Sequence, residues 1–250
     1  MTGVGLGVSR ERLDDALAGP VAAVVFDDAG TDEIAALLDG LVDTDFAREN
    51  MDRLLADTRV PEDWRVGEGL AECFLVECRN CIFPWPGGRD ERKRGSSLPG
   101  ADLVGFHHDG LVDRFAFGEV KTSGAASYPP GNAYGRHGLK KQLEDLRDSV
   151  QVRDGLVLYL GHRAANASWR DRYRSAAALY LQDSGDVRIF GLLVRDVPPH
   201  EDDLRARVDR LGRGCPGRTV IELIAIYLPA GSIPTLAARV VAARGSGGMP

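Results

Sequence analysis

The sequence predicts an α/β domain with a mixed central β-sheet flanked by helices, preceded by a mostly helical extension. Three observations carry this reading. Two strand-like runs, ADLVGFH (101–107) and LVDRFAFGEVKT (111–122), meet near Asp109-Gly110, a dipeptide suited to the left-handed backbone of a tight hairpin turn. Beyond them, short apolar runs alternate with helix-length amphipathic runs, the order that builds parallel strands with crossover helices. An apolar fraction of 44% over 250 residues supplies a sizeable core.

Taken in order, VAAVVF (21–26) reads as a strand. A helical pattern follows from Thr31, a capping residue with Glu33 in the first turn, to Ala56. Pro61 punctuates, and a second helix spans Arg65 to Arg79. The stretch PWPGGRDERKRGSSLP (84–99) is predicted to be an exposed, mobile loop. After the hairpin, GRHGLKKQLEDLRDSV (135–150) reads as a helix and GLVLYLGH (155–162) as a strand. A helix at 168–182, strand at 187–194, helix at 201–211, strand at 219–228 and helix at 233–243 complete the alternation. The expected organisation is an extension over 1–60, an α/β core over 61–245 and a flexible tail over 246–250.

Composition narrows the function. No run approaches the ~18 apolar residues of a membrane helix, and MTGVGLGVSRERLDD lacks the order of a signal peptide, so a cytoplasmic protein is expected. A net charge of −6 argues against a wholly electrostatic nucleic-acid binder. Only four of the 31 basic residues are lysines, and all four lie between Lys93 and Lys141. Cys73, Cys78 and Cys81 have a spacing seen in iron–sulfur proteins. On a helix, however, positions 73 and 78 point about 140° apart, so these and Cys215 read as reduced core thiols.

The hairpin gathers charge. In a strand, Glu119 and Lys121 share one face and Val120 the other. With Asp109-Gly110 as a two-residue loop, Asp102 lies opposite Phe117 and diagonal to Glu119, roughly 7–8 Å away between backbones. Two carboxylates and an ammonium at the end of an apolar strand suit a hard divalent cation, which takes one or two carboxylates and keeps several waters. The lysine is then placed to orient a water or neutralise charge developing on phosphorus. The rival reading is an ion pair closing a sheet end.

The pattern P-G-A-D (Pro99 to Asp102) followed by E-V-K (Glu119 to Lys121) resembles the PD-(D/E)xK phosphodiesterase superfamily, although Gly100 and Ala101 separate the usual proline and aspartate. The resemblance implies a restriction-endonuclease-like core and a divalent-metal-dependent nuclease using Mg²⁺ or Mn²⁺, with DNA as substrate. It also implies a glutamate from the preceding helix and a polar residue from the following one. RVGEGLAE and RHGLKKQL supply Glu68, with Glu72 one turn away as the alternative, and Gln142. Size and helical lead-in are similar to the nuclease subunit of Hachiman-type antiviral systems, implying a helicase partner. By this resemblance Asp102, Glu119 and Glu68 bind metal, and Lys121 and Gln142 complete the catalytic set.

Arg136, Lys140 and Lys141 read either as a solvated basic helix face or, joined by the loop run RDERKR (89–94), as a basic groove for phosphate. His107 and His108 fall at the hairpin tip, too far from Asp102 to join it. The early GVGLG (3–7) follows no strand and is no dinucleotide loop. Thr122 and Ser123 have no base beside them to make a nucleophile.

Overall fold

The computed structural model describes residues 2–56, 60–90 and 100–246. Its frame is one six-stranded mixed sheet in the order β1-β6-β5-β4-β3-β2. The strands are β1 (Thr2–Gly7), β2 (Cys81–Ile82), β3 (Leu103–His108), β4 (Asp113–Ser123), β5 (Arg188–Arg195) and β6 (Val220–Tyr227). β1, β6, β5 and β4 run parallel, while β3 and β2 add antiparallel at the other edge.

Alternation along β4 divides the core in two. Ala116 and Val120 face helices α1 (Arg10–Ala18), α2 (Pro20–Val25), α5 (Asp63–Arg79) and α10 (Leu236–Ser246), packing with Leu13, Val21 and Leu70. Phe115 and Phe117 face α6 (Leu139–Asp148), α7 (Val150–Ala164), α8 (Arg170–Gln182) and α9 (Arg205–Gly212), packing with Leu139, Leu143 and Tyr180. Ahead of α5 lie α3 (Asp28–Leu38) and α4 (Asp45–Leu55). No helix of the described residues is long and apolar enough to cross a membrane.

Several sequence expectations are corrected. VAAVVF is helical: Pro20 opens α2 with its fixed φ, and Val21 and Ala22 are buried. The run 155–162 belongs to α7, which Ser149 caps by accepting from Val152 N at 3.3 Å. There Leu156, Leu160 and Ala164 are buried at i, i+4, i+8 while Leu158 is 61% exposed, a helical and not an alternating pattern. The single helix expected over 31–56 is two, broken by a 3₁₀ turn at Asp39–Leu41, and Asp27, not Thr31, caps the first by accepting from Gly30 N. The glycine-rich N-terminus forms β1, because Gly3 and Gly5 leave room for Val208 and the Tyr227 ring. Ser246, assigned to the tail, ends α10, while residues 91–99 of the predicted loop and 247–250 of the tail lie outside the described residues.

The cysteines are free thiols. Burial pushes Cys73 and Cys81 up to about 12, which keeps them protonated, but Cys78 is exposed and not a core residue.

Candidate active site

The hairpin forms with a different loop from the one expected. His108 pairs with Asp113, so four residues, Asp109 to Val112, make the turn. Asp109 Oδ1 accepts from both Leu111 N and Val112 N, an Asx-type turn that wins over the two-residue alternative, and Gly110 takes φ +96°. The register moves by two residues, which preserves every side-chain face. Leu103 pairs with Gly118, and one step further on Asp102 stands directly opposite Glu119 instead of diagonal to it.

β3 begins only at Leu103, leaving the amide of Val120 without a strand partner on that side. Asp102 Oδ2 accepts it at 2.8 Å, so the aspartate side chain takes over where the strand ends. Glu119 is fully buried, and Lys121 Nζ donates to its Oε1 at 2.6 Å. Burial, then the charge of Asp102, pushes Glu119 up to about 8. Its other carboxylate oxygen, Oε2, is buried with no hydrogen-bond partner.

Glu68 reaches the cluster from α5. Burial and then Asp102 raise it to about 7, opposed by Arg65, which donates to Glu68 Oε2 at 2.8 Å, and by Lys121. Close approach of α5 to the strand depends on Gly67, where a Cβ would lie 2.0 Å from Thr122 Oγ1. Glu72 is also raised to about 7, but by burial and Asp27 against Arg65, with no influence from Asp102. Of the two glutamates, Glu68 is therefore the one tied to the hairpin. Arg65, three residues before it, was not anticipated, although an i, i+3 Arg–Glu spacing is legible in a helix.

On the other face, α6 packs over β4 and β5. Gly191, the strand neighbour of Glu119, makes this possible, since a Cβ there would lie 2.5 Å from Leu143 and 2.6 Å from Leu223. Gln142, next to Leu143, has a buried Oε1 with no partner. The helix starts at Leu139, so Arg136 lies in the exposed turn before it and does not share a helical face with Lys140 as expected. Lys140 pairs with Glu144 at 3.1 Å and Lys141 with Asp145, which neutralises much of the basic surface. Arg89 is bound to Asp27 and Glu33, and the rest of RDERKR apart from Asp90 lies outside the described residues. His107 and His108 end β3, half-buried and not in the turn itself, with His108 Nδ1 3.2 Å from Asp113 Oδ1.

A crevice of about 20 Å³, room for about one water, is lined by Arg65, Glu68, Glu72, Asp102 and Trp85. Beside it, sharing Val24, Val25, Arg65, Trp85 and Pro86, opens a cleft of about 760 Å³. The guanidiniums of Arg89 and Arg163 lie 4.9 and 5.3 Å from the centre of the Trp85 ring, and Trp85 donates to Asp90 at 2.9 Å, which fixes the loop between the two spaces. At the far end of β4, buried Arg195 donates to Ser123 O and Ser127 O and pairs with Asp203, tying down the loop that follows Lys121. Neither residue was singled out from the sequence, where an arginine ending an apolar strand gives no sign of its partners.

Among the described residues, no three His, Cys, Asp or Glu side chains already surround one point as metal ligands do. Glu68 and Glu119 turn instead to Arg65 and Lys121. The donor set nonetheless fits a hard cation: Asp102 stands opposite Glu119, and Glu119 Oε2 is buried with no hydrogen-bond partner.

No protein-family model matches the chain, and no curated protein matches it significantly. What fold and site define is an α/β protein with a mixed six-stranded sheet and a buried acidic cluster at the end of its hairpin.

Proposed function

We propose that the protein is a divalent-cation-dependent nuclease of the PD-(D/E)xK kind, with a restriction-endonuclease-like core, hydrolysing phosphodiester bonds. The observation that carries the reading is Asp102 opposite Glu119, with Lys121 bonded to Glu119 and Glu68 close enough to feel the charge of Asp102. Asp102 and Glu119 would hold Mg²⁺ or Mn²⁺. When bound, the ion supplies Lewis acidity toward a phosphoryl oxygen and lowers the pKa of a bound water. Lys121 orients the attacking water or offsets charge gathering on the phosphate, Arg65 holds Glu68 near Asp102, and Gln142 offers a free acceptor from α6. DNA as substrate and a helicase partner in antiviral defence follow from the sequence resemblance.

Plasmid cleavage with Mg²⁺ and with EDTA tests this. Glu119→Ala and Lys121→Ala are expected to lower the rate by about 100-fold or more, and EDTA to abolish it. Variants that cleave as well as wild type sink the proposal.

One observation favours a second reading, a catalytically inactive module that binds nucleic acid or protein. Both glutamates already have internal cations, Arg65 and Lys121. On that reading Asp102→Ala leaves binding unchanged, charge reversal at Lys140 and Lys141 abolishes it, and no preparation cleaves.

A further inference from the structure

The α3–α4 region has a surface chemistry unlike the rest of the molecule. Ala47, Met51 and Leu55, spaced i, i+4, i+8, are half-buried, yet no residue of α4 is fully buried. Beside that line Phe46 is 75% exposed and Leu54 67%. α3 and the turn after it add Leu37 at 78% and Leu41 at 72%, continuing from Ile34 at i, i+3, i+7. Isolated exposed apolar side chains are ordinary, but a helically spaced set on adjoining elements marks a contact surface. Ile34 also lines the cleft of about 760 Å³ with Val60 and Trp64, so this surface runs into the cleft wall.

Charge decides what could cover it. Residues 27–55 hold nine carboxylates and two arginines, net −7, against −6 for the whole chain, so all other residues together net +1. Arg89 takes up Asp27 and Glu33, and Arg244 takes up Asp28. Asp32, Asp39, Asp43, Asp45, Glu49 and Asp52 form no ion pair among the described residues. Such a rim repels phosphates, which excludes nucleic acid from this face. It equally opposes a second copy, which would set one −7 surface against another.

We propose that the α3–α4 face docks a cationic amphipathic helix of a partner protein, with large apolar residues at i, i+3/i+4, i+7 flanked by Lys or Arg. The apolar line receives the apolar stripe, and the unpaired carboxylates receive the flanking cations. This surface stands whether or not the hairpin site is catalytic.

The probe is a labelled peptide of about 18 residues, Leu and Lys in amphipathic order, added to the full chain. Controls are its scrambled isomer, a Leu/Glu peptide and a single-stranded oligonucleotide. Binding is read by anisotropy and the footprint by hydrogen exchange. The amphipathic Leu/Lys peptide is expected to bind at least tenfold tighter than either control peptide and to protect amides of α3 and α4. Leu37→Ser with Phe46→Ser should lose at least tenfold in affinity with an unchanged melting temperature, since both side chains are exposed. Asp39→Asn with Asp43→Asn should weaken binding without touching the apolar line. Equal affinity for the scrambled peptide, a footprint elsewhere, an oligonucleotide footprint on α3–α4, or self-association through this face would each overturn the proposal.

Discussion

Replacing Glu119 by glutamine tests the electrostatics of the hairpin directly. Glu119 is fully buried and raised from 4.5 to about 8, first by burial and then by Asp102. A carboxyl whose folded pKa lies above its unfolded value keeps its proton longer in the folded chain. Its contribution to stability is therefore intact below pH about 4.5 and lost as pH rises toward 8. At about 1.4 kcal/mol per pKa unit, the cation-free protein loses about 1 kcal/mol by pH 5 and at most about 3 kcal/mol by pH 7 through this group. Glutamine keeps the shape and still accepts from Lys121, but it carries no charge to desolvate. In urea titrations with EDTA, Glu119→Gln should gain on wild type progressively from pH 5 to 8. Mg²⁺ should then stabilise wild type at pH 8 and leave the variant unmoved. Parallel stability curves for the two proteins across that range would refute the reasoning, because the buried charge would then cost nothing.

Three further outcomes follow from the packing around the site. Gly67→Ala puts a Cβ 2.0 Å from Thr122 Oγ1, so either the Thr122 side chain or α5 must shift; a loss of about 1–3 kcal/mol by urea denaturation is expected, and a retreat of α5 would lower cleavage by moving Glu68 away from Asp102. Arg195→Met leaves fully buried Asp203 without its guanidinium and should cost about 3–5 kcal/mol, part of which Asp203→Leu in the same chain restores. At pH 7, calorimetry in buffers of different ionisation enthalpy should record proton release on Mg²⁺ binding, because Glu119, raised to about 8 by burial and by the charge of Asp102, still holds its proton there and the cation displaces it; binding without proton release would place the ion elsewhere.

The ends of the chemistry were legible locally. Alternation in F-G-E-V-K-T-S put Glu119 and Lys121 on one face, and the structure pairs them at 2.6 Å. Even the misjudged turn did no damage, since a two-residue register change keeps every face and brings Asp102 squarely opposite Glu119. Short apolar runs were not legible in the same way. VAAVVF and GLVLYLGH carry β-branched and aromatic residues in strand-like density, and a window of that length cannot tell a buried strand from a buried helix. Pro20 at the start of one and the Ser149 cap before the other were the available signals.

Sequence alone determined that this chain makes an α/β sheet with a hairpin whose end is charged, because side-chain alternation and turn chemistry act between near neighbours. Tertiary structure decided which glutamate of α5 meets the hairpin, that Arg65 and Lys121 compensate the acids, and that the α6 lysines are paired. It also decided which apolar side chains of α3 and α4 stay exposed. These properties depend on burial and on charges distant in the chain, and a carboxylate's desolvation is defined only once the folded chain has removed its water.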